Sequence, residues 1–352
     1  MSRRLKTLAQ FLAKLEGRDS SAMVIDVVSL PGQWDGWIRV WSIQALLSAG
    51  ATLTTEQIVR ALNPVIEDLL KQGLYNEQNL FLLTNCLCLL PFAADPAKGV
   101  ARINEVLSSF QHRPYQFRDL VDALGNSRAD AAVELLLGFA RQPNGLQHME
   151  DEWIEALGSL GTVEAQRALL SFIDPDIPWL GVSINFDHGN KGRFASQVSA
   201  RARDDATLRQ RLFALCEMAV SPVARSLLAA IMDDLGTGDA LFAGLGIIND
   251  RLSPTVPYDL FKGLENLFLE RRPYGDTSGA FVYAPRRADE IRAKLFAMVV
   301  SDPIRRKSAF SLLGQIEVWR LEYGRPDDEP RHPSFDSGQP WPPLVLIKEH
   351  AL

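Results

Sequence analysis

Along most of the chain, apolar residues recur at the 3.6-residue period of an amphipathic helix. Leu5, Leu8, Leu12 and Leu15 share one face. Trp37, Val40, Trp41 and Leu47 share another, broken by the polar Gln44. Ile58, Leu62, Val65, Ile66 and Leu69 continue the pattern, and it returns at Leu208–Leu212–Leu215, at Leu227–Leu228–Ile231–Leu235 and at Ile291–Leu295–Val299. Two-residue alternation sustained for the length of a strand is nearly absent, and Ala22–Leu30 is the one short apolar run compatible with either element.

Chemical signals mark the predicted helix starts. Asp95-Pro96, Ser221-Pro222 and Asp302-Pro303 each place an oxygen-bearing side chain before a proline that fits the first helical position. Thr54 with Gln57 fits a capping box. The breaks between helices are short, so sequence neighbours are expected to pack antiparallel.

Two of these breaks repeat. Asp122–Ala140 and Glu155–Ile173 align with Ala123-Leu124-Gly125 over Ala156-Leu157-Gly158, and with Phe139 over Phe172. The pattern predicts a helix ending at each Ala-Leu-Gly, with glycine serving a left-handed terminus. A helix pair recurring at this period resembles the short HEAT repeat over about Asp119–Ile173. The resemblance implies an all-α, HEAT-like helical-repeat solenoid. The predicted layout is an N-terminal helical half over 1–173 and a C-terminal half over 200–323.

Two stretches interrupt the helical pattern. Asp174–Ser199, with Pro175, Pro178 and the run DHGNKG, reads as a loop or short hairpin between the halves. Arg271–Arg287 is rich in turn residues, with a β-like element at Phe281–Tyr283. Past Gly324 and Pro326 the chain cannot stay helical, and 324–352 is predicted to be an extended strap. Its Trp341 and Leu344–Ile347 would cover the apolar flank of the last helix, which is predicted to start at Asp302.

Composition narrows the function. The 352 residues are 47% hydrophobic, enough for two ordinary domains or one extended array. The net charge of −6 provides no basic field for nucleic acid or anionic lipid. Three cysteines are too few for a disulfide framework and read as buried thiols of a cytoplasmic protein. No apolar run approaches the ~20 residues that span a bilayer.

Tests for chemistry return little. No Gly-Lys dipeptide occurs, which excludes a Walker phosphate loop, and there is no HExxH. Cys86 and Cys88 stand two apart, on nearly opposite sides of a helix, so they cannot share a metal. Asp187, His188 and Lys191 combine carboxylate, imidazole and ammonium in one candidate loop, although turn chemistry also accounts for each of them. Arg271, Arg272, Arg286 and Arg287 flank the second insertion and are candidate contacts for an acidic partner. No catalytic residue, cofactor or metal is expected.

A second resemblance lies at the C-terminus. LLGQIEVWRLEYGRP, followed by EPRHP and PWPP over Leu312–Pro343, is similar to the end of helical-repeat sensor arms on bacterial NACHT-type NTPases that act in anti-phage defence. The resemblance implies a sensing or regulatory role. The expectation is a monomeric or weakly associated scaffold that recognises a protein partner without catalysis. Two other classes remain open. One is a HEAT-like glycosylase, which would need a basic groove lined by tryptophans such as Trp34, Trp37, Trp41, Trp153 and Trp179. The other is a bilin-lyase-like handler of a cofactor.

Overall fold

The computed structural model describes residues 18–30, 32, 35–74, 76–110, 114–142, 145–146, 148–218, 221–253, 255–271, 281–283 and 288–323. The first predicted helix, Trp34, the strap 324–352 and most of the Arg271–Arg287 insertion lie outside them. The described chain is helical except for irregular connections and one short ribbon.

The first unit runs to Ser171 and takes in Ile177–Arg193. It holds α1 (Arg18–Val28), α2 (Gly36–Ser48), α3 (Thr55–Gln72), α4 (Glu77–Leu87), α5 (Pro96–Ser108), α6 (Arg118–Gly125), α7 (Ala131–Arg141), α8 (Glu150–Leu160) and α9 (Val163–Leu170). Each helix packs on a sequence neighbour and also on the next helix but one. That gives one row of α2, α4, α6 and α8 and another of α1, α3, α5, α7 and α9. Within the even row, α2 runs in the same direction as α4, and α6 in the same direction as α8. Trp37 at the start of α2 meets Phe81 midway along α4, and Arg118 at the start of α6 pairs with Glu152 at the start of α8. The core between the rows is aliphatic, with Trp153 of α8 fully buried and its indole N–H donating to the Leu136 carbonyl of α7 at 2.8 Å.

Local chemistry explains these elements, and not always as the sequence predicts. Thr54 and Gln57 form the expected capping box on α3. Asp95, however, does not cap its own helix α5. Its carboxylate accepts from the Thr55 N–H at 3.0 Å and the Thr55 hydroxyl at 2.6 Å, fastening the start of α3 instead. Gly125 has no left-handed backbone and is helical. A Cβ placed there would lie 2.6 Å from the Ala156 Cα, so the glycine is needed for the close crossing of α6 and α8. The aligned Gly158 sits inside α8, and the left-handed end falls three residues later at Gly161, φ +65°. Thr162 then caps α9.

The second unit comprises Phe172–Asp176 and continues from Phe194. The stretch predicted as a loop through Ser199 turns helical at His188, where α10 (His188–Asp204) begins. Phe194, Ala195, Val198 and Ala202 provide the buried face, and this periodicity prevails over the glycines of the first turn. There follow α11 (Ala206–Glu217), α12 (Pro222–Leu235), α13 (Gly238–Gly244), α14 (Tyr258–Phe268), β1 (Leu269–Arg271), β2 (Phe281–Tyr283), α15 (Ala288–Ser301) and α16 (Arg306–Tyr323). Contacts between every second helix recur here as α11 on α13 and α12 on α14. The strands pair antiparallel, Leu269 opposite Tyr283 and Arg271 opposite Phe281, and β2 leans on α16. Trp319 of α16 packs its ring against Phe261 and Phe268 of α14.

Ser221 caps α12 as its sequence predicts. Asp302 does not start the last helix. It closes a turn by accepting from the Ile304 N–H, and α16 begins at Arg306. The distant Asp250 supplies the cap, accepting from the N–H groups of Lys307 at 2.8 Å and Ser308 at 3.1 Å. Arg211 of α11 grips Asp174 through Nε at 2.7 Å and Nη2 at 2.5 Å, and also reaches Asp176.

Two outcomes follow from this packing. Gly125→Ala should lower stability by about 1–3 kcal/mol through overpacking, measured by chemical denaturation. Gly138→Ala in α7, where nothing lies within 4 Å, should be neutral or stabilising by up to about 1 kcal/mol. The hydrogen bonds from Arg211 also hold the Asp174 carboxyl below its usual pKa. A depressed folded value adds stability above the unfolded pKa near 3.8, and that stability is lost as pH falls through the folded one. Asp174→Asn should therefore destabilise the protein at pH 7, and the difference from wild type should shrink below about pH 4.

Candidate functional site

The residues singled out from the sequence fall at two separate places along the chain. Asp187 caps α10, its Oδ1 accepting from the Asn190 N–H at 3.0 Å. His188 opens that helix and Lys191 is buried one turn along it, so the trio is a helix start. Arg271 ends β1, while Arg272, Arg286 and Arg287 lie outside the described residues. Among the described residues, no three His, Cys, Asp or Glu side chains come together as a metal site.

A cleft of about 530 Å3 opens instead on the even row of the first unit. Val40, Gln44, Leu47 and Ser48 of α2 form one wall, with Gly50 and Ala51 just past its end. Asn85 of α4 and the residues Cys88, Leu89 and Phe92 beyond it form the other, and Ala123 of α6 closes the third side. Because α2 and α4 run in the same direction, the cleft lies toward the C-terminal ends of both, where the helix dipoles are negative. Gln44, the polar break in the α2 stripe, is exposed within it. Asn85 donates to the Phe81 carbonyl at 2.8 Å, which leaves its own carbonyl oxygen facing outward as an acceptor.

An aromatic cluster adjoins the cleft toward the N-terminal ends of the same helices. Trp37 and Trp41 stack with centroids 5.8 Å apart, and Trp37 contacts Phe81 at 5.5 Å. Phe81, midway along α4, is 54% exposed and Phe92, in the turn beyond it, 44%, so both present large apolar surfaces.

Two carboxylates of α6, Asp119 and Asp122, act electrostatically on Cys88 of the cleft wall. Burial pushes the Cys88 thiol up to about 12, and the negative charges of Asp119 and Asp122 add to the shift. Asp122 is itself raised, first by burial and then by Glu152 and Asp119. Glu152 is paired with Arg118 at 3.0 Å. Among the described residues, the Asp119 and Asp122 carboxylates have no hydrogen-bonding or ion-pairing partner. A nucleic-acid groove needs basic side chains, and the lining residues of this cleft include none. Trp153, one of the tryptophans proposed for such a groove, is in the core.

Comparison with known proteins adds one finding. Residues 263–342 match the model of the NACHT C-terminal Alpha/Beta 2 family. The similarity covers less than a quarter of the chain and runs from α14 through the β1–β2 ribbon, α15 and α16. It therefore reaches well upstream of the Leu312–Pro343 stretch that first suggested the relationship, and it includes the stretch read as an insertion. No curated protein and no solved structure matches. No helix among the described residues is long and apolar enough to cross a membrane.

The environment of the thiols has a direct chemical consequence. Burial raises Cys86, Cys88 and Cys216 each to about 12 from an ordinary 9.0. The thiolate fraction at pH 8 should fall by about a thousandfold. A disulfide reagent at pH 8 should leave all three unmodified in the native protein and titrate three thiols after denaturation.

Proposed function

We propose that this chain is a non-enzymatic recognition and regulatory protein. In this reading a HEAT-like array of helix pairs meets a protein partner, and a NACHT-associated C-terminal region links that recognition to a defence or regulatory response. The similarity over 263–342 is the observation that carries it, because sequence of this kind accompanies NACHT modules. The alternate-helix packing in each unit supports the array, since stacked helix pairs place every second helix in one row. The cleft on the α2–α4–α6 row supports recognition, being concave, mostly apolar and crossed by a few polar groups.

Affinity capture of the tagged full chain from its native host, with and without phage challenge, tests this reading. A stoichiometric protein partner is the expected result. Nucleotide turnover by a clean preparation, or tight salt-dependent binding of duplex DNA with no protein partner, would sink it.

A further inference from the structure

The helix α16 carries apolar residues on two faces. Ala309, Leu312, Leu313, Ile316 and Trp319 form its buried face, with Trp319 against Phe261 and Phe268 of α14. Phe310, Val318 and Leu321 lie on the other side and are 45%, 41% and 74% exposed. At about 100° per residue, these three and Gly314 fall within about 80° of one another around the helix, so they make one outward stripe. Ser311 and Glu322, both exposed, border it along one edge. Gly314 is its flat centre. Among the described residues, no atom lies within 4 Å of where a Cβ would stand there. A glycine weakens a helix interior, and here, unlike at Gly125, no described neighbour requires one.

The chain itself supplies a matching segment. Tyr323 leads directly into residues 324–352, which include Trp341 and the run Leu344-Val345-Leu346-Ile347. Large apolar side chains are not what a solvated tail concentrates. The family match continues past Tyr323 to Pro342, so α14, α15, α16 and the sequence through Trp341 belong to one matched unit. The reach is sufficient. An extended stretch the length of 324–340 spans about 50 Å, whereas α16 is about 27 Å long.

A second copy of the chain fits the stripe less well. Three partly exposed side chains fall short of the roughly 800 Å2 that each partner buries in a stable dimer. A tethered segment needs far less area, because its linker holds it at about millimolar effective concentration.

We infer that the outward stripe of α16 is the docking face for the chain's own segment Trp341–Ile347. The Trp341 indole lies over Gly314, between Phe310 and Val318, and the Leu344–Ile347 run meets Val318 and Leu321.

Cross-linking in the full chain tests this. Ser311→Cys beside the stripe and Lys348→Cys beside the apolar run provide two reactive thiols for a short bismaleimide at neutral pH. Burial suppresses the reactivity of the native Cys86, Cys88 and Cys216, so the introduced pair should react first. The expected product is a cross-link within one chain. Adding Gly314→Arg, which raises helix propensity but fills the flat centre, should slow its formation about tenfold while the circular dichroism spectrum stays that of wild type. Leu321→Glu, at the most exposed stripe position, should slow it similarly and replaces Gly314→Arg if that variant disturbs the helix.

A cross-linking rate that neither substitution changes would overturn the inference, because the segment would then be free or seated elsewhere. A product joining two chains in place of the internal link would also overturn it and give the stripe to a second copy.

Discussion

A short helix that ends inside a protein leaves carbonyl groups facing the core, and the fold depends on meeting that demand. Arginines do so here. Arg39 of α2, almost fully buried, donates to the Ala61 carbonyl at 3.0 Å and the Leu30 carbonyl at 2.8 Å. The first of these lies in the turn of α3 disturbed by Pro64, whose ring has no N–H to continue the ladder. In the second unit, Arg225 of α12 donates to the Ile247 carbonyl at 2.7 Å, and Arg305 reaches the Gly246 and Ile248 carbonyls. Desolvation lowers the pKa of Arg39 and Arg225, yet a guanidinium starts so high that it stays charged and keeps donating. A lysine could lose its proton in the same place. These contacts satisfy carbonyls just beyond the short helices α1 and α13, and one inside α3.

Periodicity and capping chemistry made most helices legible in the sequence, because both act within a few residues. Thr54, Ser221 and Thr162 cap the helices they precede. Asp95 and Asp302 looked equivalent and are not. Whether an aspartate caps its own helix or another depends on which N–H groups the fold brings near it, and that is a long-range property. The glycine-rich start of α10 concealed a helix for a related reason. A local reading gives Gly189 and Gly192 more weight than the buried face of Phe194 and Val198 that lies just beyond them. Gly125 misled in the other direction, since its function is contact with Ala156 and not backbone conformation.

The cleft was almost illegible. Its walls come from three helices separated by tens of residues, and no residue in it belongs to a catalytic motif. Gln44 left the one trace, a polar residue in an otherwise apolar stripe. A field that draws a partner in depends on which charges remain unpaired around a concave surface, and a sequence does not show that.

The packing of α2, α4, α6 and α8 in one row also bears on how such a protein changes over generations. Each member of the row offers its outward face at a similar place, while the inward face is occupied by packing on neighbours. Substitution on the outward face leaves the core arithmetic almost untouched, so binding preference and stability are under nearly separate selection. Gain or loss of a whole helix pair would slide the surface along by one step and leave each remaining junction intact. A lineage can therefore rewrite what the row presents to its surroundings without rebuilding the molecule that presents it.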